Sequence, residues 1–132
     1  MEELQDPFDN APISHLLGLE VLPGLPGSAE VLLAVDERMH NPMGFVHGGV
    51  IALLADAAMG IAFGRTLDEK HAFATVEMKT SFIRPIKKGK LQATATLVQR
   101  GLRIGFVNCR ITNQSSKLIA TASCTCTVNS LD

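Results

Sequence analysis

A chain of 132 residues with 12 Lys plus Arg against 13 Asp plus Glu carries a formal charge of −1, and 46% of its side chains are hydrophobic. That length allows one domain over residues 1–132, able to bury about two thirds of its unfolded surface. The near-neutral charge and the absence of Trp and Tyr exclude the basic face and stacking aromatics of a nucleic-acid module.

The opening residues, MEELQDPFDNAP, are acidic and polar, with no basic stretch leading into an apolar run. Residues 1–12 therefore read as a flexible segment without a secretory signal, and the chain as cytoplasmic, with no membrane partner. Ile13 to Leu17 reads as a short helix, with Pro12 in its first turn and Gly18 at its end. Strands are expected from Leu19 to Leu22 and from Ala29 to Val35, joined by PGLPGS, whose Pro and Gly pairs mark a hairpin connection. His15 and His40 show no partner in the sequence and read as structural or solvent-facing.

From Gly49 to Phe63 the only ionisable side chain is Asp56. At about 1.5 Å per residue a helix of this length spans roughly 22 Å. A helix that is apolar on every side is buried, in a core or in a membrane. This run is shorter than a bilayer span and holds an acid at its middle, so a protein core is the expectation. Burying an unpaired carboxylate is costly, so such a group is paired, protonated or held at a wet cleft. On the helix wheel Gly49, Ala52 and Gly60 flank Asp56, a strip of small residues that admits another backbone or a slender ligand. A structural ion pair accounts for such an acid as well as catalysis does.

The residues just before the helix favour catalysis. His47-Gly48-Gly49 lies where the first backbone N–H groups lack partners and the helix dipole is positive. Glycines there leave room for a ligand atom to reach those N–H groups. Asn41 adds an amide and His47 an imidazole, across a turn tightened by Pro42 and Gly44. Asn41-Pro42 alone is an ordinary turn, and a lone His is usually structural. Together with an acid nine residues after His47, they make a candidate oxyanion site and base.

After the charged loop from Arg65 to Lys70, four strand-like segments follow. In the first, Phe73 to Ile83, strict alternation puts Ala74, Val76, Met78, Thr80 and Phe82 on one face and Phe73, Thr75, Glu77, Lys79 and Ser81 on the other. Leu91 to Val98, Ile104 to Thr112 and Leu118 to Val128 complete the set. One helix followed by strands on short turns gives an α+β antiparallel fold. Frequent Ala and Thr let the sheet curl around the helix, and its uncovered edge and face favour at least a dimer. Cys109, Cys124 and Cys126 are odd in number and lack metal spacing, so they read as reduced thiols, with Cys124 and Cys126 on one strand face.

Asn41, His47-Gly48-Gly49 and Leu54-Ala55-Asp56 resemble the N-x5-HGG-x4-LAD pattern of the PaaI-type hotdog-fold thioesterases, the acyl-CoA thioesterase 13-like group. The resemblance extends from about Leu16 to Val128. It implies a hotdog fold, a long central helix wrapped by a curved antiparallel sheet, and homodimers that pair into homotetramers. It also implies active sites at the dimer interface, with Asn41, His47 and Gly48 from one subunit and Asp56 and Thr75 from its mate. Thr75 departs from the Ser more usual in that family; it keeps the hydroxyl that orients a water and adds a methyl group.

The implied reaction is hydrolysis of an acyl-CoA thioester. The carbonyl oxygen is held by the Gly48 N–H with help from His47, and Asp56 acts as general base or as nucleophile. Candidate substrate contacts are Gly49, an acyl pocket of Met43, Phe45, Leu53 and Met59, and Arg84, Lys88 and Arg103 for the CoA phosphates. No metal or redox cofactor is expected, coenzyme A being part of the substrate. Two other classes fit less well: an acyl-CoA-binding domain without turnover, and a hotdog enoyl-CoA hydratase, whose helix Glu does not match Asp56.

Overall fold

The computed structural model describes residues 11–132. In chain order they form α1 (Pro12–Leu17), β1 (Glu20–Val21), β2 (Ser28–Val35), a 3-10 turn (Glu37–Met39), α2 (Gly48–Gly64), β3 (His71–Phe82), β4 (Gly89–Arg100), β5 (Ile104–Thr112) and β6 (Leu118–Ser130). The expected flexible segment lies outside the described residues up to residue 10, whereas Ala11 and Pro12 already belong to the start of α1. Gly18 ends α1 at φ 79°, and its N–H donates to the Ser14 carbonyl.

The strands make one antiparallel sheet in the order β1-β2-β4-β5-β6-β3, curled around α2. This is the hotdog arrangement. Alternation sends Val31, Leu33, Leu91, Ala93, Ala95, Val107, Cys109, Ile111 and Cys126 inward, where they meet Leu54, Ala55, Ala58, Met59, Ala62 and Phe63 of α2 in one core. All three cysteines are free and buried there, and Cys124 and Cys126 share the inner face, with sulfurs 3.8 Å apart. Burial pushes the Cys109 and Cys124 thiols up to about 12, which leaves them without thiolate character at neutral pH. Among the described residues no helix is long and apolar enough to cross a membrane.

Two expectations are corrected here. The helix is not covered on every side: Gly49 and Asp56 are exposed and Ala52, Leu53, Ala57 and Gly60 are half-buried, so the small-residue strip faces outward from the single chain. The second concerns β3. Its register against β6 pairs Thr75 with Cys126 and then Glu77 with Thr125, so Val76 is an extra residue in a β-bulge. Facing residues share a side of the sheet. Thr75 and Phe73 therefore stand on the inner face with Met78 and Thr80, rather than with Glu77 and Lys79. The bulge turns the Thr75 hydroxyl toward the helix.

Candidate active site

The entrance to α2 is fixed by a chain of local bonds. The Asn41 carboxamide oxygen accepts from the N–H groups of Met43 (3.0 Å) and Phe45 (3.2 Å), and its own N–H donates to the Phe45 carbonyl (2.7 Å). Gly44 closes that turn at φ 85°, in the left-handed region that only glycine enters at no cost. Asn41 is thus first a turn-holding residue, with its side-chain NH2 without a partner among the described residues. His40 bonds the Lys87 carbonyl at 2.7 Å, and the Val46 and His47 N–H groups donate to the Ile86 and Met39 carbonyls. His40 is structural, as expected, and it ties the loop to the connection between β3 and β4.

His47 caps α2 with its ring. Its Nδ1 accepts from the Gly49 N–H at 2.8 Å, which requires an unprotonated Nδ1 and, in the neutral ring, an Nε2–H free to donate elsewhere. Gly49 therefore offers no free N–H to a substrate; a Cβ there would lie 3.0 Å from the His47 ring nitrogen, which explains the glycine. The Val50 and Ile51 N–H groups turn back to the His47 carbonyl. The Gly48 N–H alone in this turn has no partner among the described residues. It opens into a cleft of about 280 Å³ lined by Asn41, Met43, Phe45, Val46, Gly48, Ile51, Phe82, Ile83, Arg84 and Pro85.

Asp56 lies elsewhere. It lines a separate cavity of about 390 Å³ with Leu53, Ala57, Gly60 and Ile61 of α2, Phe73 and Thr75 of β3, and Ala11, Ile13 and Ser14 at α1. Asp56 has neither hydrogen bond nor ion pair among the described residues. Water reaches its carboxyl in the single chain, yet the surrounding protein mass raises its pKa above the ordinary carboxylate value, through burial alone. The Thr75 hydroxyl lies 3.8 Å from the Cys126 sulfur. No group of three or more His, Cys, Asp or Glu with metal-binding geometry occurs among the described residues.

The remaining candidates divide. Leu53 lines the Asp56 cavity, and Met43 and Phe45 line the Gly48 cleft. Met59 does not join them: it is wholly buried in the core between α2 and the sheet, so it is a packing residue. Among the basic residues, Lys87 sits over the Phe45 ring, Lys90 pairs with Glu20 at 3.6 Å, and Arg100 bonds Thr66 and stacks on Phe63. Arg84, Lys88 and Arg103 have side chains without a partner among the described residues. Arg84 reaches the Gly48 cleft. Sequence reasoning missed Ala11, Ile13, Ser14, Ala57, Ile61 and Phe73 as cavity residues.

This fold matches known proteins. A profile described as the thioesterase superfamily matches residues 43–120. The chain belongs to the thioesterase superfamily. The matched segment spans both the Gly48 turn and Asp56. Among curated relatives, the 1,4-dihydroxy-2-naphthoyl-CoA hydrolase of Listeria monocytogenes is 28% identical over 116 residues, 88% of this chain and 94% of that protein. A thioesterase of Haemophilus influenzae shares the fold with a TM-score of 0.87 at 26% identity, over 96% of this chain and 88% of that one. The Escherichia coli PaaI protein of the phenylacetic acid degradation operon matches with a TM-score of 0.84 at 26% identity, over 91% and 86% of the two chains. The PaaI-type resemblance in the motif thus holds over the fold, and the chain is a thioester hydrolase of this superfamily.

Proposed function

We propose that this thioesterase hydrolyses acyl-CoA thioesters to a free acid and coenzyme A, in active sites assembled from two subunits. One observation carries the reading. The unpartnered Gly48 N–H and the unpartnered Asp56 carboxyl stand eight residues apart on one helix, about 12 Å along its axis. An oxyanion donor and an attacking water both need to lie within about 3 Å of the reacting group, so the two groups of one chain do not serve one carbonyl. Two antiparallel α2 helices related by a two-fold axis bring Gly48 of each to Asp56 of the other, making two sites. The outward strip on α2 and the free edge of β3 supply the self-complementary surfaces. Pairing of such dimers into homotetramers follows the same resemblance.

Within each site the thioester oxygen accepts from the Gly48 N–H, and the Nε2–H of His47 is free to help. Asn41 keeps that turn rigid. Asp56 takes a proton from a water held by Thr75, and the water oxygen bonds the carbonyl carbon. The tetrahedral intermediate then collapses, the C–S bond breaks, and the departing thiolate takes up a proton. Burial raises the Asp56 pKa above the ordinary carboxylate value, which makes the carboxylate a stronger base. Oxyanion donors of this kind are worth roughly 3–4 kcal/mol in the transition state. In the alternative, Asp56 attacks the carbonyl itself, the C–S bond breaks with loss of the thiolate, and a mixed anhydride forms. Water that then attacks the Asp56 carboxyl carbon leaves an Asp56 oxygen in the first acid released, so in a single turnover in isotopically labelled water an unlabelled first acid marks this route. Neither route calls on a metal or redox cofactor.

The CoA part of the substrate is favoured by the unpartnered Arg84, Lys88 and Arg103, and by the CoA thioester named for the Listeria relative. Subunit complementation tests the composite site. Gly48→Pro removes the one free N–H at the first position of α2, where proline suits the backbone; its Cβ would lie 3.1 Å from the exposed Phe82 ring, which has to give way, and His47 at φ −58°, ψ 134° already suits a residue before proline. Gly48→Pro and Asp56→Asn are each inactive alone. Mixed and reassembled in equal amounts, they recover about a quarter of native activity, because half of random dimers carry one intact site. No recovery in verified mixed dimers refutes the shared site.

A further inference from the structure

The bulge in β3 leaves Thr75 with one freedom. On the outer face of the sheet the Thr127 hydroxyl donates to the Ala74 carbonyl at 3.4 Å, and the Thr125 hydroxyl donates to the Glu77 carboxylate at 2.5 Å. These two ties flank Thr75 and Val76 and hold that stretch of β3 against β6. The Thr75 side chain is left to turn about χ1, which has three staggered positions. Among the described residues its hydroxyl has one hydrogen-bonding partner, the Cys126 sulfur at 3.8 Å, a reach that the larger radius of sulfur allows. Cys126 is fixed in place: it is fully buried in the core, and its sulfur lies 3.8 Å from that of Cys124. For packing alone, any small apolar side chain serves there.

We propose that Cys126 is a positioning residue for the hydrolysis, its sulfur accepting the hydrogen bond of the Thr75 hydroxyl so that the Thr75 oxygen faces the Asp56 cavity with its lone pairs free for the attacking water. The inference rests on the reading that Thr75 holds that water. Asp56 takes one proton of the water, and the Thr75 oxygen accepts a hydrogen bond from the other. A lone pair on the water oxygen is then free to attack the carbonyl carbon. Without the sulfur, the Thr75 O–H turns to the one carboxylate that lines the cavity, Asp56. A hydrogen bond to the charged carboxylate makes it a weaker base, and the water loses its second holder.

The test is a double-mutant cycle read in kcat and KM for an acyl-CoA thioester. Thr75→Val removes the hydroxyl at nearly constant shape, and Cys126→Ala or Cys126→Val removes the sulfur. Alanine is smaller than cysteine and valine is larger, so the two variants differ in packing and agree only in lacking the sulfur. Each lowers kcat about fivefold with KM within about twofold of native, because a hydroxyl released among three rotamers spends most of its time out of place. In Thr75→Val the same two substitutions change kcat by less than about 1.5-fold. Cys109→Ala truncates another buried thiol, on β5 opposite Ala95 and Ala122, and keeps the native kcat.

A native kcat in both Cys126 variants, or an equal fall in Cys109→Ala, overturns the proposal. A slow Thr75→Val in which the Cys126 substitutions still cost fivefold strikes out the positioning role alone, whereas a Thr75→Val at the native rate strikes out the reading beneath it as well. Independently of turnover, three-bond couplings to the Thr75 methyl carbon report one χ1 rotamer in the native protein and averaging in both Cys126 variants. Averaging already in the native protein, or one rotamer retained without the sulfur, also overturns it.

Discussion

Gly105 marks the point where α2 presses Phe63 onto the sheet, and replacing it with alanine tests how the helix is seated. A Cβ at Gly105 would overlap Phe63 Cε2, and would lie 3.2 Å from its Cζ and 2.9 Å from the Gln99 carbonyl oxygen. None of these yields easily. Phe63 is fully buried, meets Phe73 edge-on with centroids 5.7 Å apart, and carries the Arg100 guanidinium over its face. The Gln99 oxygen is backbone. Overpacking of this kind costs about 1–3 kcal/mol, and the near overlap puts Gly105→Ala at the upper end. Restricting the unfolded chain returns about 0.5–1 kcal/mol. The net is a loss of about 2 kcal/mol, or about 6–10 °C in Tm for a domain of this size. Urea denaturation reads it as a lower midpoint with unchanged slope. In a Phe63→Leu background the same substitution costs less, because the ring it strikes is gone and only the contact with the Gln99 carbonyl remains. If Gly105→Ala unfolds within about 0.5 kcal/mol of native, or Phe63→Leu brings no relief, the seating is misread.

Other consequences are equally direct. The acid side of the kcat/KM profile falls as Asp56 is protonated, with its limb above the ordinary carboxylate range because burial raises that pKa. The same shift has a sign for stability: a carboxyl whose folded pKa exceeds its unfolded value loses stability as pH rises between the two. Asp56→Asn should therefore melt above native protein at neutral pH, with the gap closing below the unfolded value; a variant that melts lower at neutral pH counters this. Met59→Ala should lose about 2–5 kcal/mol of stability, whereas Leu53→Ala should chiefly change acyl preference; the reverse pattern in denaturation and kinetics returns Met59 to the pocket. Arg84→Ala and Arg103→Ala should each raise KM for acyl-CoA about tenfold and leave hydrolysis of the matching pantetheine thioester, which lacks the nucleotide phosphates, unchanged.

The motif and the periodicity carried most of the architecture. The apolar run from Gly49 to Phe63 located α2 within one residue at each end, and the alternation from Leu91 to Val128 located three strands. The misreadings have physical causes. A strict period of two cannot register the extra residue at Val76, so it put Thr75 on the wrong face; only pairing with β6 reveals the bulge. Asp56 looked buried because every neighbour in sequence is apolar, but the side of a helix that the sheet leaves uncovered depends on tertiary packing. The same limit applies to Met59: on an almost wholly apolar helix nothing in the residue types says which face meets the core. Ser14 gave no signal at all. A serine in a six-residue helix is ordinary until the fold closes over it. His47 was legible as a site residue, whereas its capping bond to Gly49 needed the geometry of the turn.

The measurement that bears most directly on the central claim is free-thiol release from a panel of short, medium, long and aryl acyl-CoAs by native protein and by Asp56→Asn. The substitution keeps the shape of the side chain and removes the base. The account predicts turnover by the native protein and a loss of about a hundredfold or more in Asp56→Asn, with binding of a CoA thioether retained. Equal turnover by both proteins, or none by either, contradicts it.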